Sequence, residues 1–180
     1  MHEIARYLAD VALFWPGLVV TAIVSAGAAA PLARRTGASP AVAALLVFAI
    51  GLIVSATLTP SREAIRFEAV GSGVCDLSRF GPPSLAELLR FDDPAFNVAL
   101  FVPLGLAVAL LPGGRLRPLL LIAGFVLPPL IELTQLELVQ LGRACQSGDA
   151  SDNILGFVVG LGLGVLLTLL WRRSPSPGNR

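Results

Sequence analysis

Histidine, lysine and charge are scarce in this sequence. Its 180 residues include one histidine (His2), no lysine and only 14% charged residues. Without further histidines the chain cannot build a histidine zinc site or activate a cysteine nucleophile with imidazole. An ordinary soluble domain carries about 25% charged residues, so that class is also excluded. No phosphate loop, dinucleotide fingerprint or serine elbow is present, and we predict neither a metal nor a cofactor.

Long hydrophobic runs make up most of the chain. Hydrophobic residues account for 55% of it, and the mean hydropathy is +0.80. Five runs approach the ~20 residues needed to cross a bilayer; they are residues 11–32, 41–58, 96–111, 119–136 and 151–171. They do not alternate as barrel strands do. We therefore predict an all-α polytopic bundle of about five transmembrane helices in a lipid bilayer. The net charge of +1 gives no indication of nucleic-acid binding.

The arginines predict an orientation. Seven lie in connectors on one side of the predicted bundle or in the tail, without an acidic neighbour: Arg34, Arg35, Arg115, Arg117, Arg172, Arg173 and Arg180. By the positive-inside rule this side is cytoplasmic, which places the N-terminus outside and the C-terminus inside. An alternative for the first run is a cleaved signal peptide, because Ala28-Ala29-Ala30 resembles a cleavage site. The acidic residues before the run favour a retained helix.

The chain divides into four predicted parts. They are a two-helix membrane segment (1–60), an exterior loop (61–95), a three-helix core (96–173) and a disordered tail (174–180). Within the loop, Ser84-Leu-Ala-Glu87 predicts a capping box that opens a short surface helix. Cys75 and Cys145 fall in the two different exterior loops. We predict that they form a disulfide in an oxidising compartment, the alternative being two free thiols.

Polar side chains near the exterior membrane boundary form the candidate ligand site. Ionisable groups at that depth are costly and usually face a bundle interior or a cavity. Glu132 and Gln135 share one face of the fourth helix, and Asp149 and Asn153 share a face of the fifth. The six candidates converge from three helices: Asn97, Glu132, Gln135, Arg143, Asp149 and Asn153. Two alternatives stay open, an interfacial Glu132 that only reaches headgroup water and an Asp149 that only caps its helix.

The face with Asp149 and Asn153 continues as a stripe of glycines. Its members are Gly156, Gly160 and Gly164. Small residues at this spacing predict close helix packing, which would turn the whole face toward the bundle interior. A Mg²⁺ or Ca²⁺ bridging Glu132 and Asp149 is allowed by ligand type, although no metal site is predicted.

Four pieces of the sequence together resemble the VanZ-like family of membrane proteins. They are Thr57-Leu58-Thr59-Pro60, Asn97-x3-Phe101-x-Pro103-x-Gly105, Ile131-Glu132-x2-Gln135 and Arg143-x5-Asp149-x3-Asn153-x2-Gly156-x3-Gly160. The resemblance covers about residues 55–170. Two positions depart from it: Gln146 stands where the family often has an acid, and Asp152 where an apolar residue is usual. A mechanism that needs paired acids at 146 and 149 would require Asp152 as the substitute.

The resemblance implies a multi-pass protein of the bacterial cytoplasmic membrane, in a family named for resistance to teicoplanin-type glycopeptides. Our preferred hypothesis is a non-enzymatic cell-envelope factor that binds a lipid-linked cell-wall precursor or a lipoglycopeptide, with Arg143 holding a phosphate or carboxylate. The alternative is a membrane enzyme that uses Glu132 or Asp149 as acid or base. Transport is a third possibility. An enzyme should place both carboxylates in one pocket, whereas a binding protein could hold Arg143 in a structural pair with either. The sequence predicts no particular oligomeric state.

Overall fold

Five long helices dominate the structure, a computed structural model that describes residues 13–90 and 92–173. In chain order the elements are α1 (Phe14–Thr36), α2 (Pro40–Thr57), α3 (Arg62–Phe67), β1 (Cys75–Asp76), α4 (Leu85–Arg90), α5 (Asp93–Leu110), α6 (Leu116–Glu137), a 3₁₀ turn (Val139–Leu141), β2 (Cys145–Gln146) and α7 (Ser147–Arg173). Within the described residues, five of these (α1, α2, α5, α6 and α7) are long and apolar enough to cross a membrane. The predicted all-α bundle is confirmed.

Local sequence explains several helix ends. Ser39 caps α2 by accepting the Val42 N–H at 3.3 Å, and Pro40 occupies the first turn, where its missing N–H costs nothing. Gly37 adopts φ 70° and ends α1 by donating its N–H to the carbonyl of Ala33. All five membrane helices extend past their predicted runs at one end at least, most clearly α1, which continues past residue 32 to Thr36, and α7, which begins at Ser147 rather than at residue 151. Hydropathy detects only the apolar part of each helix, so it does not predict the polar first or last turn of a helix.

The α5–α7 pair makes the most extensive contact in the bundle. A methyl group on Gly156 or Gly160 would collide with a carbonyl oxygen of α5, and Gly105 of α5 lies against the Gly160 backbone. The two backbones therefore approach each other directly, as small-residue stripes allow. Gly164, the next member of the stripe, packs on Ala109.

The other helices are added around this pair. α2 packs on α5, and α1 packs on α2, with the Ser25 hydroxyl donating to the Ala44 carbonyl at 2.6 Å. α6 packs on α7, where the ring of Phe157 fills the space above Gly124 and meets Phe125 edge to face at 5.3 Å. The polar segments between α2 and α5 and between α6 and α7 lie at the same end of the bundle.

We call that end the loop end; it includes residues 58–90, 92–95 and 137–149. The opposite arginine end includes the turns at residues 36–39 and 111–117 and the last turn of α7, and its arginines are Arg34, Arg35, Arg115, Arg117, Arg172 and Arg173. The two turns are neighbours, since Gly37 faces the Pro112 ring. The side of the membrane that each end faces stays a prediction, as does the four-part division of the chain. His2, the N-terminal acids and the 174–180 tail lie outside the described residues.

Candidate functional site

A disulfide joins the two loops of the loop end. β1 and β2 form a parallel ladder in which Cys75 lies opposite Cys145, and the two cysteines are bonded with their Cα atoms 4.5 Å apart. The predicted pairing is confirmed. The Ser61 N–H also donates to the Leu141 carbonyl at 2.9 Å. The loop after α2 is thereby fixed across the ends of α6 and α7.

An ion pair joins the same two segments a few residues after the disulfide. Arg79 donates both terminal nitrogens to the carboxylate of Asp152, at 3.0 and 2.5 Å. The Asp152 side chain is 0% exposed, whereas that of Arg79 is 32% exposed and reaches solvent. The two hydrogen bonds raise the pKa of the Arg79 guanidinium above its ordinary value. Gly148 leaves room for this arrangement, because a Cβ there would lie 2.6 Å from the guanidinium.

Sequence reasoning did not identify Arg79 as part of the site. It is one of many charged residues in the 61–95 loop, and its spacing alone does not single it out. The disulfide supplies the missing signal, because the parallel register places the residues that follow Cys75 beside the first turns of α7. The Ser147 hydroxyl confirms this alignment by donating to the Arg79 carbonyl at 2.7 Å. Asp152 is the carboxylate that Arg79 contacts.

Glu132 and Gln135 both point from α6 into the bundle. Glu132 is only 6% exposed, and its carboxylate accepts the Gln146 N–H of β2 at 2.7 Å. The Gln135 side chain donates to the Thr57 carbonyl at the end of α2, at 2.9 Å. Glu132 is therefore enclosed by protein, and the same face of α6 contacts two different elements of the loop end.

Two buried asparagines leave hydrogen-bonding capacity unused. Asn97 of α5 is 5% exposed and Asn153 of α7 is 1% exposed. The Asn97 carboxamide lies beside the Asp149 carboxyl, yet its Nδ2 has no acceptor in hydrogen-bond geometry among the residues described. The Oδ1 of Asn153 likewise lacks a donor. An unsatisfied buried amide costs about 1–3 kcal/mol, so these atoms mark a place where a ligand or an ordered water is expected.

Acidic groups outnumber arginines around these amides. Glu132 and Asp149 are close enough to repel each other when ionised, and Asp149 is also a neighbour of Asp152. The ion pairs that join two described residues are Arg79–Asp152 and Arg90–Asp92. Neither Glu132 nor Asp149 thus has an arginine from the described residues at salt-bridge distance.

Arg143 occupies a different position from the other candidates. It is half-buried, and its Nε donates to the Thr59 carbonyl at 3.3 Å, next to the end of α2. A structural pair of Arg143 with Glu132 or Asp149 was one possibility, but the salt bridges between described residues do not include it. The structure thus buries Asn97, Glu132 and Asn153, leaves Asp149 partly exposed beside Asn97 and near Glu132, and places Gln135 and Arg143 against the end of α2 and the residues that follow it.

No group of three or more histidine, cysteine or acidic side chains within residues 13–90 and 92–173 is arranged to hold a metal ion. Compared with known families, residues 41–172 match the model of the family described as VanZ/LLP1. This match begins in α2 and includes every site residue considered above. Neither the curated proteins nor the solved structures contain a significant match.

Proposed function

Because this chain belongs to the VanZ/LLP1 family of multi-pass membrane proteins, we propose that it is a cell-envelope factor of the bacterial cytoplasmic membrane that binds a lipid-linked cell-wall precursor or a lipoglycopeptide. The ligand site is formed by Asn97, Glu132, Asp149 and Asn153, with Gln135 and Arg143 at its border. A role in resistance to teicoplanin-type glycopeptides would follow if the bound species is the antibiotic or its target.

Polar groups with incomplete hydrogen bonding or charge pairing, in and next to the loop end, carry this proposal. Glu132 and Asp149 have no described arginine at salt-bridge distance, the Oδ1 of Asn153 lacks a donor, and the Nδ2 of Asn97 lacks an acceptor in hydrogen-bond geometry among the described residues. A ligand rich in hydroxyl and amide groups would satisfy all of them. Sugars and peptides, the polar parts of cell-wall precursors and glycopeptides, are ligands of this kind.

Arg143 suits the charged part of such a ligand. Its Nε is used by Thr59, and the half-buried guanidinium lies where the bundle meets the loops. A guanidinium at this position is the kind of group that binds a phosphate or carboxylate through charge-assisted hydrogen bonds. Since the internal site is acidic, we expect the ligand's anionic group to lie at Arg143 and its neutral hydroxyl or amide groups to lie deeper.

An enzymatic function is the second candidate. It is favoured by the proximity of Glu132 and Asp149, two carboxyl groups from different helices that interact electrostatically. Such a pair could supply a general acid and a general base to one substrate. Mass spectrometry of the lipid after incubation with the protein separates the two candidates, because binding returns it unchanged and catalysis does not.

The proposal requires the loop end to face outward. The arginine end, without acids in its connecting turns, fits the cytoplasmic side, and a disulfide at the loop end fits an oxidising exterior. In reduced, intact cells a membrane-impermeant thiol reagent should label Cys75 and Cys145. It should not label the single cysteine of an Arg115→Cys variant made without Cys75 and Cys145. Labelling of that variant from outside would contradict the orientation.

Binding of undecaprenyl-linked precursor and of a lipoglycopeptide to purified protein in nanodiscs tests the site itself. Glu132→Gln keeps the shape of the side chain, and Glu137→Gln, an exposed position on the same helix, is the matched control. We expect Glu132→Gln and Arg143→Ala to weaken binding about tenfold or more, equivalent to ~1.4 kcal/mol, with little change for Glu137→Gln. A Glu132→Gln protein that melts normally and binds normally would remove Glu132 from the site.

A further inference from the structure

Two adjoining cavities at the arginine end share one residue, Arg117. The first, of about 290 Å³, lies between the end of α1, the turn after α5 and the start of α6, and Arg35, Arg115 and Arg117 line it. The second, of about 200 Å³, lies between the ends of α5 and α7 and the start of α6, and Arg172 completes its lining beside Arg117. Neither cavity belongs to the site at the loop end.

The charge in these cavities is of one sign. Four arginines contribute to their walls, and no aspartate or glutamate does. None of the four lies at salt-bridge distance from a carboxylate of the described residues. The first turn of α6, which opens onto the larger cavity, also contains no acid. Such a concentration of unbalanced positive charge attracts an anion.

The two cavities differ in the polarity of the residues that line them. The larger cavity combines its arginines with the Pro112-Gly113-Gly114 turn, at the level where the helices end. The smaller one extends along the helices, and Ala109, Val165 and Leu169 give it an apolar surface. A polar compartment at the membrane boundary that leads into an apolar groove matches a molecule with an anionic headgroup and a hydrocarbon chain.

We propose that the arginine end binds an anionic phospholipid of the surrounding bilayer. Its phosphate lies among Arg35, Arg115 and Arg117, and one acyl chain follows the groove of Ala109, Val165 and Leu169. Basic pockets between transmembrane helices bind lipid phosphates in this way, and arginine suits them because its planar fork contacts two phosphate oxygens at once. The competing explanation is that the arginines only offset the partial negative charge of nearby helix C-termini.

Lipid retention in native mass spectrometry distinguishes these explanations. Wild-type protein is compared with Arg35→Gln/Arg117→Gln, which removes two cavity arginines, and with Arg34→Gln/Arg173→Gln, which removes two arginines of the same end that line neither cavity. We expect wild type to retain phosphatidylglycerol about tenfold better than phosphatidylcholine of the same chains, the cavity variant to lose that preference and the control to keep it within about twofold. Equal losses in both variants, or no preference in wild type, would overturn the proposal.

The acyl chain requires its own test, because a free phosphate could occupy the arginines alone. Val165→Trp fills the groove, and Val159→Trp changes an exposed position of the same helix outside it. We expect Val165→Trp to lower phosphatidylglycerol retention several-fold, Val159→Trp to leave it unchanged, and excess glycerol phosphate not to displace the lipid. Displacement by glycerol phosphate would identify a soluble anion as the ligand and refute the lipid, even if Val165→Trp proved unstable.

Discussion

The two ends of the bundle are held together in different ways. At the loop end, segments far apart in sequence are joined by the Cys75–Cys145 disulfide and the Arg79–Asp152 ion pair. At the arginine end, the side-chain hydrogen bonds within the described residues are local, as when the Thr36 hydroxyl donates to the Leu32 carbonyl at 2.9 Å. The long-range polar interactions are thus concentrated around the candidate site, whereas no arginine of the opposite end has a carboxylate of the described residues at salt-bridge distance.

Removing the disulfide should have the largest effect, because it should destabilise the loop end and leave the arginine end unchanged. The bond closes a loop of 70 residues, and the chain-entropy account assigns such a crosslink up to ~4 kcal/mol. We expect Cys75→Ser/Cys145→Ser to lower the melting temperature in detergent and to increase hydrogen exchange in residues 61–90 and 138–150. Exchange in the turns at 36–39 and 111–115 should not change. An equal increase in hydrogen exchange at both ends would show that the disulfide stabilises the whole bundle and not the loop end in particular.

Breaking the Arg79–Asp152 ion pair should lower the free energy of unfolding somewhat less than removing the disulfide does. Arg79→Gln leaves the Asp152 carboxylate buried without its partner, for which we expect a loss of about 3 kcal/mol in the free energy of unfolding. Arg115→Gln removes an exposed arginine at the other end and should change it by no more than about 0.5 kcal/mol. The double variant Arg79→Met/Asp152→Leu should recover most of the lost free energy of unfolding, because both charges are then absent. Thermal melts of the three variants against wild type provide the measurement, and equal effects of Arg79→Gln and Arg115→Gln would abolish the distinction between the ends.

The α5–α7 contact connects the two ends and should be sensitive to single methyl groups. Gly160→Ala places a Cβ against the α5 backbone, which we expect to destabilise the bundle by about 2 kcal/mol. Gly162 lies on the same helix with open space around its Cβ position, so Gly162→Ala should be neutral or slightly stabilising. If melting temperatures respond equally to both substitutions, helix propensity rather than packing governs this contact.

The smallest effect concerns the capping box of α4. The Ser84 hydroxyl accepts the Glu87 N–H at 3.3 Å, and the Ser84 N–H donates to the Glu87 carboxylate at 2.6 Å. Hydrogen bonding to Ser84 lowers the pKa of Glu87, so the stabilisation is present above the ordinary glutamate pKa and is lost as the pH falls through the lowered value. Ser84→Ala should raise the pKa of Glu87 in an NMR titration. An unchanged pKa would mean that the hydroxyl contributes nothing to it.

The sequence predicts the membrane helices well because hydropathy over ~20 residues reports directly on bilayer crossing. Their polar ends are less visible: Ser147 and Gly148 belong to α7 although no apolar pattern includes them. The capping box at Ser84 was predictable because its reciprocal hydrogen bonds depend on a fixed three-residue spacing. Long-range contacts such as Ser61 with Leu141 have no such local signal.

The candidate site was only partly accessible from sequence for the same reason. The inward faces of α6 and α7 follow from helical spacing, and the structure encloses Glu132 and Asn153 accordingly. Which arginine meets which carboxylate depends on how the loops dock, so the pairing of Arg79 with Asp152 was not predicted from the sequence. The role of the six candidates in ligand binding stays a prediction.

Gly148 has a consequence for how this protein can change over evolution. A side chain larger than hydrogen at 148 would displace the guanidinium of Arg79, and without that guanidinium Asp152 would be a buried charge with no partner. The three positions should therefore be inherited together. A relative with an apolar residue in place of Asp152 would need neither the glycine nor the arginine. An alignment of the family should therefore show that the three positions covary.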